Sequence, residues 1–337
     1  MSVTVERVLL FAGQGAFRGT ELARLAERHP QFGDVFSEID GVAARLGGEQ
    51  PSAYVLDAPR PLRQLVREAP DVLQLAIYGT SIALWTVLRD HGQDAGILAG
   101  HSAGEIAALV AGGAFTIAQG AEIVMHRNAV LAGVGDEAGG MLAIECDADR
   151  ARRILDVVGE PRLAVGVCNG PRQIVLSGPA AALEVAGAVA RALRIGATPL
   201  PVAYPFHSPM LAQAVPEFAA QIRHIEPRPL RTLVFSPILG RFHHAEDALC
   251  EHIATALVAP VSFQRALDRL AEAGARTFIE CATAGTLTRI VERCLAHASV
   301  MPALVEGEGE TAAAHPTPVT SSTHAEPSVA AHVRPVT

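Results

Sequence analysis

The chain of 337 residues is 50% hydrophobic and 18% charged, and it carries a formal net charge of −8 at pH 7. That balance lacks the basic footprint nucleic-acid binding needs, so no nucleic-acid partner is expected. All 27 basic residues are arginine, so a Walker A loop, a Schiff-base lysine and a Ser-Lys dyad are excluded.

In chain order, "VERVLLFAGQGAF" reads as a buried strand ending in a glycine turn. Residues 20–47 have helical periodicity with a break at Pro30. Residues 71–92 form a long, mostly apolar helix, with Asp71 expected as its N-cap and Gly92 as its end. "AGILAG" is a short buried strand, and the helix "AGEIAALVAGGA" follows it directly. A further helix carries Arg127. Strand, tight turn and helix in succession are the grammar of a parallel α/β sheet.

Residues 139–204 then read strand, helix, strand, strand, helix, strand, which is the split ferredoxin-like pattern. Their last strand is expected in "ATPLPVAY". Helix (209–224), strand (232–236), two helices (247–258 and 263–274), strand (276–280) and helix (285–297) resume the first unit. The expected fold is therefore α/β: an α/β-hydrolase-like parallel-sheet large domain (1–138 and 205–304) with an inserted ferredoxin-like (βαββαβ) small subdomain (139–204). From residue 305 the composition turns to Pro, Thr, Ala and Ser without periodicity, so 305–337 is expected to be a disordered tail.

No signal peptide is evident, and no window holds about 18 uninterrupted strongly apolar residues, so no membrane partner is expected. The five cysteines are scattered without CxxC spacing and read as reduced thiols of a cytoplasmic protein. His243, His244 and His252 lack H-E-x-x-H spacing, and no metal is expected.

Gly100-His101-Ser102-Ala103-Gly104 matches G-x-S-x-G between a strand and a helix, the context in which that motif presents a nucleophile. The first helical N–H groups point the same way and suit an oxyanion. Gly13-Gln14-Gly15 fails the dinucleotide fingerprint, because Arg18 stands where its third glycine belongs. It serves better as a second N–H donor, although a plain turn accounts for it equally. A serine nucleophile needs a base, and His207, set between Pro205 and Pro209 just past a strand end, is the candidate. Histidines within helices, such as His126 and His252, fit local hydrogen bonding. His101 sits in the turn itself, with its ring expected to point away. Arg127 either snorkels or forms a fork for a carboxylate, and its local sequence leaves both open.

The segments "FAGQGA", "GHSAGE", "VMHRN", "CNGPRQIVLSG" and "PFHSPML", in this order and spacing, resemble the malonyl-CoA:acyl-carrier-protein transacylase family across residues 7–304. The resemblance implies acyl transfer through an ester on Ser102, with His207 as base and the backbone N–H groups of Gln14 and Ala103 as oxyanion hole. Arg127 would hold the free carboxylate of a malonyl-type group. Asn169, Phe206, His101 and Ser262 would shape the pocket, Phe206 disfavouring an α-methyl branch. No cofactor would be bound: a coenzyme A thioester is the substrate, and the acceptor is the phosphopantetheine thiol of an acyl carrier protein, free or within a polyketide synthase. The enzyme is expected to be a monomer.

Two departures, Ser262 in place of a glutamine and Ala282-Thr283 in place of the usual glycine and proline, point to a discrete polyketide-synthase acyltransferase. The alternatives are a carrier-to-carrier transferase of another acyl group and a proofreading acyl-carrier-protein hydrolase. Arg191, Arg194, Arg228, Arg231 and Arg241 are candidates for docking an acidic carrier protein.

Overall fold

In β1 (Arg7–Phe11) the residues Val8 to Phe11 are all fully buried, an unbroken apolar run of the kind a parallel strand needs when both its faces are covered. The structure, a computed structural model, describes residues 6–14, 17–134 and 138–303; Gly15 and the expected tail lie outside them. Helices α1 (Gly19–Arg28) and α2 (Gln31–Arg45) separate at Pro30 as expected. A short π-helical turn, Ala53–Asp57, and α3 (Leu62–Glu68) follow.

α4 (Pro70–Asp90) begins earlier than expected. Pro70 takes the first helical position, where its fixed φ and missing N–H cost nothing, so Asp71 lies in the first turn and caps nothing. α4 is long and apolar enough to cross a membrane by length and composition alone. However, 89% of its apolar window is buried inside the protein. Gly92 ends this segment with a φ of 68°.

β2 (Ile97–Gly100), α5 (Gly104–Ala111) and α6 (Ile117–Ala132) follow, the last opened by a capping box between Thr116 and Gln119. The middle of the chain runs β3 (Gly139–Ile144), α7 (Ala148–Val158), β4 (Ala164–Gly170), β5 (Gln173–Pro179), α8 (Ala180–Ala192) and β6 (Ala197–Pro199). β6 covers only three residues of the expected strand, since Pro199 and Pro201 cannot donate to a ladder. The remainder is α9 (Ala214–Ile222), β7 (Leu233–Ser236), β8 (Arg241–Phe242), α10 (Leu249–Thr255), β9 (Val261–Ser262), α11 (Phe263–Glu272), β10 (Thr277–Cys281), α12 (Thr286–Cys294) and β11 (Ser299–Pro302). A 3₁₀ turn, Pro209–Leu211, replaces the first part of the helix expected at 209–224. β8, β9 and β11 escaped the sequence because two to four residues carry no readable period.

Among the described residues the strands form two sheets. One has the order β11-β10-β1-β2-β7-β8, parallel except for β8. The other has the order β6-β3-β5-β4-β9; its first four strands are antiparallel in the ferredoxin-like order, and β9, drawn from beyond residue 204, joins β4 in parallel. This second sheet has its own core, which includes Ile144, Ile154, Ile174 and Leu176. The architecture is the mixed α/β fold the sequence pattern predicts. Because β1 and β2 are parallel neighbours, Gln14 and Ser102 emerge from the same sheet edge.

Candidate active site

Three residues turn the chain from β2 into α5, and the glycines on either side make so short a turn possible. A Cβ on Gly100 would meet the backbone of Glu105, and one on Gly104 would meet the carbonyl of Phe11. Ser102 itself has φ 56°, a left-handed conformation a serine adopts only when its surroundings impose it. Gly104→Ala should therefore cost about 3 kcal/mol or more in a urea titration, because backbone, unlike a side-chain tip, cannot move aside. A loss under about 1 kcal/mol would show that α5 can shift off β1.

His207 is the base candidate the turn faces. Its Nε2 lies 2.6 Å from Ser102 Oγ. Its Nδ1–H donates to the carbonyl of Ala259 at 2.8 Å, which leaves Nε2 as the lone pair that accepts the serine proton. The backbone N–H of His207 donates to the carbonyl of Leu257, fixing the residue at a φ of 61°. Burial, reinforced by the nearby His101 and Arg127, lowers the His207 pKa to about 4 in spite of the Ala259 bond. The neutral, proton-accepting ring thus persists to mildly acidic pH. The acid limb of serine acylation is expected near pH 4, against about 6.5 for an ordinary histidine. Below pH 6.5 the unfolded chain binds a proton the folded site refuses, so stability falls by up to about 3 kcal/mol between pH 6.5 and 4. An acylation rate that halves near pH 6.5 would contradict this burial effect.

Arg127, on α6, is only 6% exposed, and its guanidinium lies 4.5 Å over the ring of Phe206. Nη1–H donates to Gln74 Oε1 at 3.1 Å, and Gln74 Nε2–H donates to Gln14 Oε1 at 3.0 Å. Among the described residues no carboxylate pairs with Arg127. Burial lowers its pKa to about 10, so it remains a cation at neutral pH. A buried charge without an anion is costly, and an incoming carboxylate would remove that cost. Ser102, Ala103, Glu105, Arg127, His207 and His252 line one narrow cavity of about 20 Å³, closed by Ile106, Ile253, Ala256 and Leu257.

Other expected pocket residues stand outside that lining. His101 Nε2 pairs with Asn169 Oδ1 at 2.8 Å, and its ring packs edge-on against Phe263. Asn169 borders a separate cleft of about 620 Å³ that also holds Arg172 and Arg293. Ser262 is committed to β9, where its N–H donates to the carbonyl of Pro237. Conversely, Gln74 was not foreseen, and although the resemblance implies a main-chain carbonyl that orients the histidine, that Ala259 supplies it was not. Gln74 left a signal, a polar amide in the otherwise apolar run 72–77. Ala259 left none, because a carbonyl belongs to every residue. Two histidine–carboxylate groups also bring donor atoms within 4.8 Å of one another: Glu105, His243 and His252, and Glu122, His126 and His224. Neither follows from local spacing.

The profile of the acyl transferase domain family matches residues 8–322. The spectinabilin polyketide synthase system protein NorA' of Streptomyces orinoci is 30% identical over 305 residues, which cover 89% of this chain and 8% of that protein. The first four such relatives are far longer, and this chain spans 7–14% of their lengths. Among solved structures, the malonyl-transacylase PlMCAT, determined in complex with the type II polyketide synthase acyl-carrier protein AntF, superposes with a TM-score of 0.81 at 25% identity, covering 88% of this chain and 95% of that one. The malonyl CoA-acyl carrier protein transacylase of Clostridium perfringens gives 0.78 at 27% identity, covering 88% and 92%.

Proposed function

The chain belongs to the acyl transferase domain family and is an acyltransferase related to malonyl-CoA:acyl-carrier-protein transacylases; on that premise we propose that it moves a malonyl-type group from coenzyme A to a carrier-protein thiol through an ester on Ser102. The observation that carries this reading is a buried arginine with no carboxylate partner among the described residues, in the same cavity as a 2.6 Å serine–histidine pair.

In the first half-reaction Ser102 Oγ attacks the thioester carbonyl carbon while its proton passes to His207 Nε2. The C–O bond forms, the C–S bond breaks, and His207 returns the proton to the departing sulfur. In the second half the pantetheine thiol gives its proton to His207, its sulfur attacks the ester carbon, and Ser102 Oγ leaves with that proton. The N–H groups of Ala103, at the start of α5, and Gln14, at the end of β1, are the oxyanion donors. Arg127 binds the free carboxylate, and Gln74 and Phe206 hold the guanidinium in place. The narrow cavity favours an unbranched acyl group, a preference worth about 1–3 kcal/mol per methyl. No resident cofactor is required.

The acceptor is the phosphopantetheine arm of an acidic carrier protein. Arg191, Arg194, Arg228 and Arg231 remain candidates for docking it, whereas Arg241 is already gripped by Asp247 through two 2.8 Å bonds.

Intact-mass spectrometry after separate incubation with malonyl-, methylmalonyl- and acetyl-CoA tests the reading. A malonyl adduct on Ser102 that disappears on adding an acceptor with a free pantetheine thiol, with the malonyl group appearing on that thiol, supports it. If no coenzyme A ester labels Ser102, the donor assignment is wrong; loss of the adduct to water alone would make the protein a hydrolase.

A further inference from the structure

Glu105 has no part in the chemistry above, yet its carboxylate is buried three residues after the nucleophile, in the first turn of α5. Its Oε1 accepts from Nε2 of His252 on α10 at 2.7 Å and from Nε2 of His243, just beyond β8, at 2.9 Å. The other nitrogen of His243 faces Asp247 Oδ2 at 3.3 Å. Arg241 holds Asp247 well below the usual carboxylate range through two hydrogen bonds. Burial on its own would raise the Glu105 pKa, but the two imidazoles outweigh it and keep the carboxyl below its ordinary value. One buried carboxylate therefore ties α5 to α10 and to the end of β8.

The tie leads back to the base. The N–H of Ala256 donates to the carbonyl of His252, and the N–H of Ala259 donates to the carbonyl of Thr255. The carbonyls of Leu257 and Ala259 then receive the backbone N–H and the Nδ1–H of His207. The contacts close a ring: Ser102, Glu105, His252, Ala259, His207 and Ser102 again. Apolar packing would hold these helices together as strongly but would let them slide, whereas short hydrogen bonds to one carboxylate oxygen fix direction as well as contact.

We propose that the Glu105–His252 bond is a positioning brace: it sets the nucleophile's helix against the segment that orients the base, and so fixes the Ser102–His207 distance. His252 touches no reacting atom in this role, which it exerts through the Ala259 carbonyl. The proposal rests on Ser102 and His207 being the acylating pair. A misplacement of about 1 Å can cost about a hundredfold in rate, so the effect is measurable.

The test compares His252→Ala, His252→Gln and a control, Leu176→Ala, which unsettles the separate core of the small sheet. Single-turnover acylation by malonyl-CoA and labelling of Ser102 by an alkyl fluorophosphonate are both followed, at equal distances below each protein's Tm. His252→Ala should slow both reactions by about ten- to a hundredfold while KM for malonyl-CoA changes by less than about threefold. His252→Gln, whose amide can still donate to Glu105, should recover most of the rate, and the control should be unaffected. Equal slowing in the control, a rise in KM without a fall in rate, or no rescue by glutamine would each overturn the brace. So would stoichiometric zinc in the purified wild type that is lost in His252→Ala, because the cluster would then be a metal centre. Wild type labelled by the fluorophosphonate but by no thioester would sink the proposed function and leave the brace testable. Wild type labelled by neither would sink both.

Discussion

Ser102→Ala is expected to leave no acyl-enzyme detectable by mass and to lower transfer by about 10⁴-fold or more. His207→Ala should come close to the same loss, because the hydroxyl and its base act as one unit, and the double variant should be little worse than either single one. The two single variants separate in another way. Ser102→Ala relieves a left-handed backbone strain only slightly, since alanine also bears a Cβ. His207→Ala removes a buried ring and strands the Ala259 carbonyl, so it should be the less stable of the two by about 1–3 kcal/mol. If Ser102→Ala retains transfer within about tenfold of wild type, the covalent route is wrong.

Arg127→Met should lower malonyl acylation by about 10²- to 10³-fold, the loss expected when one partner of a desolvated, hydrogen-bonded charge pair is removed. Acetyl acylation, which offers no carboxylate, should be spared or improved. Methionine fills much of the same volume, so the folded protein sheds an unpaired buried cation without acquiring a large void. Its Tm is therefore expected to hold or rise while malonyl activity collapses, the opposite signs of a site that gives up stability for function. Steady-state kinetics with malonyl- and acetyl-CoA, beside a thermal melt, decide the matter. Equal losses with both substrates would mean that Arg127 supports the fold and does not read the carboxylate. A melt lowered by several degrees would mean the guanidinium is better satisfied than its contacts indicate.

The resemblance carried by five short segments placed Ser102, His207 and Arg127, and the structure brings those three residues to one cavity. Of the pocket residues the resemblance names, His101 pairs with Asn169, Asn169 borders a separate cleft, and Ser262 lies in β9. His252 was set aside as a helical histidine with local bonds, yet its partner is Glu105, 147 positions away.

What the sequence determined by itself is what a few adjacent residues enforce: the glycines on either side of Ser102, the helix break at Pro30, the buried run of β1 and the ferredoxin-like order of residues 139–204. These follow from backbone sterics and side-chain period, which act within a turn or a strand. What only the tertiary structure decided is which distant groups share a dielectric. That Arg127 meets no carboxylate among the described residues, that burial lowers the His207 pKa to about 4, and that Glu105 joins the serine's helix to the histidine's support all depend on the packed surroundings. Desolvation comes from the whole packed chain, and no window of neighbouring residues encodes it.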